Sequence, residues 1–410
     1  MLKHFMESAG ISFIILFISI FQGILIAHTL HAEGKGIIAV YMSIYNVIYT
    51  LSNLGIRQSS SFFLSKEKME IENIVSVQLF AIFFVTILTA ISLLIIFNMQ
   101  NILNYEILIY FFMMIPLALY VTYTTSFALS YRWIEKLNGV KIIISLTFFI
   151  SLIFFYFVLD KKTIEYYFAS QLIAYIFATI YVYSWIDNIE GYRYKVENYK
   201  ELFINSKKIV TKGITYAFPL FIYGLNYKAD IWILNNLVEP IEIGVYSVGV
   251  TFAEIIWQLP MILSIIIFSH SVSDKNSKEF SINLWKKHNL IMLLLLPILI
   301  LYALFIKTII PILFGEEFLY SYIITFLLLP GVYSIVSFNI LNADLAARGF
   351  PMVALNIFLI AAIVNILLNY LVIPIYGING AAIASSISYI GASLFYIIRY
   401  HKLTFIKSKI

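Results

Sequence analysis

The chain has 410 residues, of which 61% are hydrophobic and 12% charged, with a net charge of +5 and a mean hydropathy of +0.92. A soluble domain carries roughly 25% charged residues, so this composition excludes a water-covered globular surface. There is no cysteine, which removes disulfides and thiolate chemistry, and the modest positive charge matters through where it sits, not as a footprint for nucleic acid.

The first apolar run, 9–30, contains ISFIILFISIFQGILIAHTL. It has neither the short apolar core nor the small-residue cleavage site of a signal peptide, so it predicts a retained first helix. Further runs cover 36–63, 73–97, 105–129, 139–159 and 163–186. A polar stretch, DNIEGYRYKVENYKELFINSKK (187–208), then separates them from runs at 209–237, 243–269, 287–310, 320–342, 352–373 and 378–400. Each is near or above the ~20 residues that a span needs. Lipid admits only helices or closed barrels, and runs this long and uniformly apolar predict helices.

The expected fold class is an all-α integral membrane protein with about twelve transmembrane helices. It divides into an N-terminal six-helix bundle (1–186), a cytoplasmic linker (187–208) and a C-terminal six-helix bundle (209–410). With both termini in the cytoplasm, the outer connections hold only Lys35, Lys161, Lys162 and Lys307, and most of the 27 Lys and Arg residues fall on the inner side. That asymmetry is the positive-inside pattern.

A short internal echo supports the halving. ASQLIAYIFATIYVY (169–183) and ASSISYIGASLFYI (384–397) share a pattern of small, aliphatic and tyrosine positions once one residue is skipped. Two parallel six-helix halves related by a pseudo-two-fold axis along the membrane normal are a transporter plan. In LNYLVIPIYGINGAAIASSISYI (368–390), Pro374 and Gly377 end the eleventh helix and Gly380 begins the twelfth. The row of small residues after it suits close helix packing. This stretch reads as a tight hairpin, a structural device rather than a substrate site.

Four stretches carry a family resemblance: NILLNYLVIPIYGINGAAIASSISYI, GITYAFPLFIYGLNYKADIWIL, IEIGVYSVGVTFAEII and NADLAARGFP. Together they resemble the Wzx-type polysaccharide flippases of the multidrug/oligosaccharidyl-lipid/polysaccharide exporter superfamily. The resemblance implies translocation of an undecaprenyl pyrophosphate-linked oligosaccharide repeat unit across the bacterial cytoplasmic membrane, by alternating access between the two bundles, for surface polysaccharides such as O-antigen or capsule. The partners it implies are that substrate, membrane lipids, and a polysaccharide polymerase or chain-length machinery.

Charges inside spans face a cavity or a partner, and four stand out. Glu254 lies ten to twelve residues into the eighth helix, about 15–18 Å deep at ~1.5 Å per residue. Lys228 and Asp230 lie in the outer part of the seventh helix, and Arg57 in the inner part of the second. On the functional reading Arg57 and Lys228 bind the anionic substrate, while Glu254 and Asp230 take a coupling H+ or Na+. On the structural one, Lys228 snorkels outward, Arg57 anchors at the headgroups and Asp230 pairs with a neighbour. Tyr223, Tyr227 and Trp257 are candidates to line a sugar-contacting cavity. Asp344 and Arg348, four residues apart at a helix end, predict a structural pair.

Nothing predicts an enzyme. No Gly-x4-Gly-Lys-Ser/Thr loop occurs, so ATP is not hydrolysed on this chain. The six histidines lack metal-site spacing, His28 and His31 sitting together at the outer end of the first helix with only Glu33 as an acidic neighbour. Two alternatives stay open: a multidrug or cation exporter of the same superfamily, which would need an acidic cavity, and a polysaccharide polymerase, which would need a large outer loop where the longest here is about 307–320.

Overall fold

The computed structural model describes residues 2–194, 199–273 and 277–406, and among these residues it contains helices and no strand. Among the described residues nine stretches are long and apolar enough to cross a membrane. Two of them hold two helices each, and a 36-residue helix with a polar first half adds one more, which gives twelve. We number them α1 (2–30), α2 (32–52, continued after a turn as Ile56–Ser65), α3 (Ile71–Met99), α4 (Tyr105–Ser130), α5 (Ile134–Ile153) and α6 (Ile164–Ile186). The second six are α7 (Tyr199–Leu234), α8 (Pro240–Ser273), α9 (Ser277–Phe314), α10 (Ser321–Ala347), α11 (351–376) and α12 (378–401).

The breaks have local causes. His31 leaves the helical region at φ 58°, ψ −173°, and the next amide, that of Ala32, donates to Glu317 Oε2 at 3.2 Å. A carboxylate at a helix start satisfies a free N–H and suits the positive end of the helix dipole. Glu317 thus caps α2, and its Oε1 also meets His31 Nδ1 at 3.0 Å. Gly34 and Lys35, expected to form a connection, are already helical. At the other end of the chain Gly377 (φ 54°, ψ −136°) separates α11 from α12. Asn365 Nδ2 meets Ser385 Oγ at 3.3 Å, and Ser388 Oγ donates to the Ala361 carbonyl at 2.9 Å. Rising numbers on one helix meet falling numbers on the other, so the two form the tight antiparallel hairpin read from the sequence.

The contacts group the chain into two compact units. One holds the chain up to Leu30 together with Ile44–Phe221; the other holds His31–Ser43 and the chain from Ile222 onward. The division therefore runs through α2 and α7, not at 187–208. α7 begins at Tyr199, ten residues before the expected 209. The stretch before it is tied down: Arg193 Nη2 lies 2.7 Å from Glu72 Oε1, and the Tyr192 hydroxyl donates to that of Tyr120 at 3.3 Å. Residues 195–198, the middle of the expected linker, lie outside the described residues.

Candidate functional site

Lys228 and Asp230 are two residues apart on α7, so they cannot share a face. The structure separates their roles accordingly. Lys228 Nζ lies 3.8 Å from Glu254 Oε1 on α8, each side chain about one-third exposed (32% and 30%). One face of this part of α7 is aromatic: the Tyr223 and Tyr227 rings are 4.5 Å apart, and Tyr227 meets Trp257 edge-on at 5.0 Å and Tyr389 at 5.1 Å. Tyr227, Trp257 and Tyr389 are buried against one another and Tyr223 is half-buried, so Tyr223 is the ring of this cluster that a guest could reach.

Asp230 is buried. Its Oδ1 accepts the Ile231 amide at 2.8 Å, and its Oδ2 accepts the Tyr246 hydroxyl of α8 and lies 3.5 Å from Ser385 Oγ of α12. Ser385 in turn meets Asn365 of α11, whose carbonyl and side-chain oxygens accept from Asn369 Nδ2 at 2.9 and 3.0 Å. Asn365 and Asn369 are completely buried, and Asn369 Oδ1 has no hydrogen-bond donor. A carboxylate, a hydroxyl and amide oxygens, with one acceptor left open, are the donor set of a hard cation. Asp230, Asn365, Asn369 and Ser385 are therefore the residues that could hold one. Among the described residues no group of three His, Cys, Asp or Glu side chains forms.

Arg57 belongs to the other unit. The chain turns through two left-handed residues, Leu54 (φ 53°) and Gly55 (φ 63°), and restarts as Ile56–Ser65 with Arg57 in its first turn. Gly55 supplies no side-chain cap, so this helix start offers backbone N–H groups beside a guanidinium, an arrangement that favours an anion. Arg57 is half-buried, its Nε has no hydrogen-bond partner, and among the described residues it makes no ion pair. Lys141 of α5 lies within electrostatic reach of it, so the second charge there is again positive. Lys212 of α7 stands over the Phe62 ring of the same short helix at 4.6 Å.

Asp344 and Arg348 form the structural pair expected of them, at 3.7 Å. The carboxylate also accepts from Ser271 (2.5 Å), Ser281 (2.6 Å) and Tyr400 (2.7 Å), which gathers the ends of α8, α9, α10 and α12 on one fully buried group.

No protein-family model matches the sequence, and no curated protein matches it. Solved structures do. The chain superposes on the lipid II flippase MurJ in an inward closed conformation with a TM-score of 0.80 at 15% identity, covering 97% of this chain and 90% of that one. An inward-facing multidrug resistance MATE family transporter of the MOP superfamily gives 0.69 at 9% identity, over 95% and 96% of the two chains. The fold is that of the MurJ and MATE transporters. A MOP superfamily transporter from Pyrococcus furiosus, described as having a binding pocket of reverse polarity, gives 0.60 at 10% identity over 98% and 94%. At these identities the likeness is one of fold.

The sequence singled out Asp230 within this transporter fold but missed its companions. Tyr246, Asn365, Asn369 and Ser385 are neutral residues in apolar runs, and Ser385 sits in the row assigned to helix packing alone. One signal was present: Asn365 and Asn369 are four apart, hence on one face of α11.

Proposed function

We propose that the chain is a flippase that carries a lipid-linked oligosaccharide, on an undecaprenyl pyrophosphate-type carrier, across the cytoplasmic membrane by alternating access. The observation that carries this reading is Arg57, a half-buried guanidinium at an uncapped helix start with no counter-ion among the described residues. A cation held in a low-dielectric site attracts phosphate strongly, and the planar guanidinium suits bidentate capture of a phosphate group. The shared fold with a lipid II flippase supports the same direction.

On this reading Lys228 assists with the anionic substrate from the second unit, beside the aromatic cluster whose Tyr223 meets the sugars. Glu254 and Asp230 couple transport to an ion, and the oxygen set around Asp230 favours Na+ over a proton relay. Both termini lie in the cytoplasm, and a polysaccharide polymerase with its chain-length machinery receives the product on the outer side.

The multidrug-exporter reading has one supporting observation, the MATE-type fold. A cationic drug needs a carboxylate in the cavity, and Glu254, one-third exposed beside Lys228 at 3.8 Å, is the candidate for it. The test is complementation of a flippase-null strain: surface glycan restored by the wild-type gene and lost with Arg57→Ala, at equal membrane protein level. Full export by both Arg57→Ala and Glu254→Gln would withdraw the site assignment. Drug resistance conferred without glycan export would favour the exporter.

A further inference from the structure

A furrow of about 500 Å³ runs between α11 and α12 on the second unit. Its walls are apolar and exposed: Ile360 and Val364 from α11, Ile387 and Phe395 from α12. Along 352–364 it extends about 18 Å, at ~1.5 Å rise per residue. Its floor is low because Gly391 and Ser388 lie there, and a Cβ built on Gly391 meets nothing within 4 Å. Gly10 and Gly224 share this open space, but Gly391 is the one that lies in a furrow between two helices.

Chemistry changes at one end. Arg399 stands at that end and Asn356 further in, both exposed, and the Arg399 guanidinium makes no ion pair or hydrogen bond among the described residues. A hydrocarbon slot ending in a free guanidinium matches a molecule with one apolar tail and one anionic head. The floor also joins the site described above, since Ser388 lies 3.5 Å from Asn226 Oδ1 on α7 and, three residues back along α12, Ser385 lies 3.5 Å from Asp230 Oδ2.

We propose that this furrow holds the phosphate-proximal isoprene units of the single prenyl tail of the substrate's lipid carrier, with the carrier phosphate at Arg399. This rests on the lipid-linked substrate proposed above. One furrow between two helices takes one chain, whereas a glycerophospholipid brings two, and the methyl branches of a prenyl chain fit beside the small residues of the floor. Burial of each methylene adds hydrophobic binding, and Arg399 fixes which end of the tail enters. A tail seated here lies against the α7–α12 contacts that hold Asp230, so its arrival is sensed at the coupling-ion cluster.

The test uses the full-length protein in detergent, titrated with undecaprenyl phosphate and followed by native mass spectrometry. Phosphatidylglycerol serves as the two-chain competitor and a prenyl alcohol as the uncharged one. Wild type and Gly391→Ala should bind the prenyl phosphate alike, and at least about tenfold more tightly than phosphatidylglycerol. Gly391→Leu fills the furrow and should weaken binding about tenfold or more. Ile387→Trp, on the facing wall, should do the same if the leucine variant fails to fold. Arg399→Gln should weaken the prenyl phosphate and leave the prenyl alcohol unchanged. Undiminished binding in the filled variants, or phosphatidylglycerol bound as well as the prenyl phosphate, overturns the proposal. Glycan export judges the flippase reading separately: a wild-type gene that restores no export refutes that reading whatever the furrow binds.

Discussion

Gly36 and Gly244 lie against each other's backbones where α2 and α8 begin. A Cβ on Gly36 would stand 1.8 Å from the Pro240 carbonyl oxygen, and one on Gly244 would stand 1.9 Å from that of Ala32. In both cases the carbonyl belongs to the residue four before the opposite glycine, so the contact is reciprocal. Only hydrogen side chains permit it, and close backbone approach of this kind is how helices associate tightly in lipid.

Valine at either glycine must push the two helices apart. Overpacking typically costs about 1–3 kcal/mol, and backbone atoms cannot yield as a side chain does. Gly36→Val and Gly244→Val should each lower the thermal midpoint of the purified protein by several degrees. The double variant should lose little more than either single, because the same contact is broken once. Additive losses would mean that the two glycines act in separate contacts.

Arg57→Ala should slow glycan export roughly tenfold to hundredfold, since a lost charge-assisted contact costs about 1.5–3 kcal/mol. Arg57→Lys should keep part of the rate, because charge survives while the bidentate fork does not. Surface glycan normalised to membrane protein gives the readout. Equal export by the alanine and lysine variants would show that the guanidinium does not touch the substrate.

Lys228 and Glu254 are each about one-third exposed, so their 3.8 Å pair contributes little to stability, about 0–1 kcal/mol. Glu254→Gln should therefore leave the thermal midpoint almost unchanged while reducing export. The exchanged pair, Lys228→Glu with Glu254→Lys, should recover part of what either single change loses. A large drop in midpoint for Glu254→Gln would make the pair structural.

A cation bound by Asp230 and its oxygen neighbours would stabilise the fold in proportion to occupancy, by about 2.7 kcal/mol at a hundred times its dissociation constant. Thermal unfolding in sodium chloride should exceed that in choline chloride at equal ionic strength. Asp230→Asn should abolish the difference, since the amide oxygen can still accept from Ile231 while its nitrogen donates to the Tyr246 oxygen instead of accepting from it, and the charge is gone. A sodium effect that survives Asp230→Asn would place the ion elsewhere.

Removing Asp344 strands Arg348 and three hydroxyl donors. Breaking a buried ion pair from one side costs about 3–5 kcal/mol, and one hydrogen bond to a charged group about 1.5–3 kcal/mol. Asp344→Ala should thus unfold at markedly lower temperature than Tyr400→Phe. Equal midpoints would mean that the carboxylate contributes no more than one bond.

Helix number and the α11–α12 hairpin were legible in the sequence because hydropathy and a glycine at positive φ act locally. The start of α2 was not. Gly34 and Lys35 resemble a loop, and only the arrival of Glu317, some 280 residues later, turns them into the first turn of a capped helix. The four charges within apolar runs were legible because charge in lipid is conspicuous; their pairing was not. Lys228 and Asp230 look like partners by number, yet helical geometry sends one to Glu254 and the other to a set of neutral oxygens on three helices. Arg57 was found by its charge, but its uncapped helix start depends on the Leu54–Gly55 turn, which the apolar pattern hides.

The division of the chain through α2 and α7 has a consequence for its covalent wiring. Since 44–221 belongs to one unit, the polar stretch 187–208 joins two parts of the same body. The backbone passes between the bodies at Leu30–His31, Ser43–Ile44 and Phe221–Ile222, the last two inside helices and the third two residues after Pro219, which lacks the amide that would close that turn. At Ser43–Ile44 and Phe221–Ile222 the covalent link is thus a continuous helix and not a slack tether. Lengthening or nicking 187–194, ahead of α7, leaves those helices intact, whereas Pro219→Ala restores the missing amide beside the Phe221–Ile222 crossing.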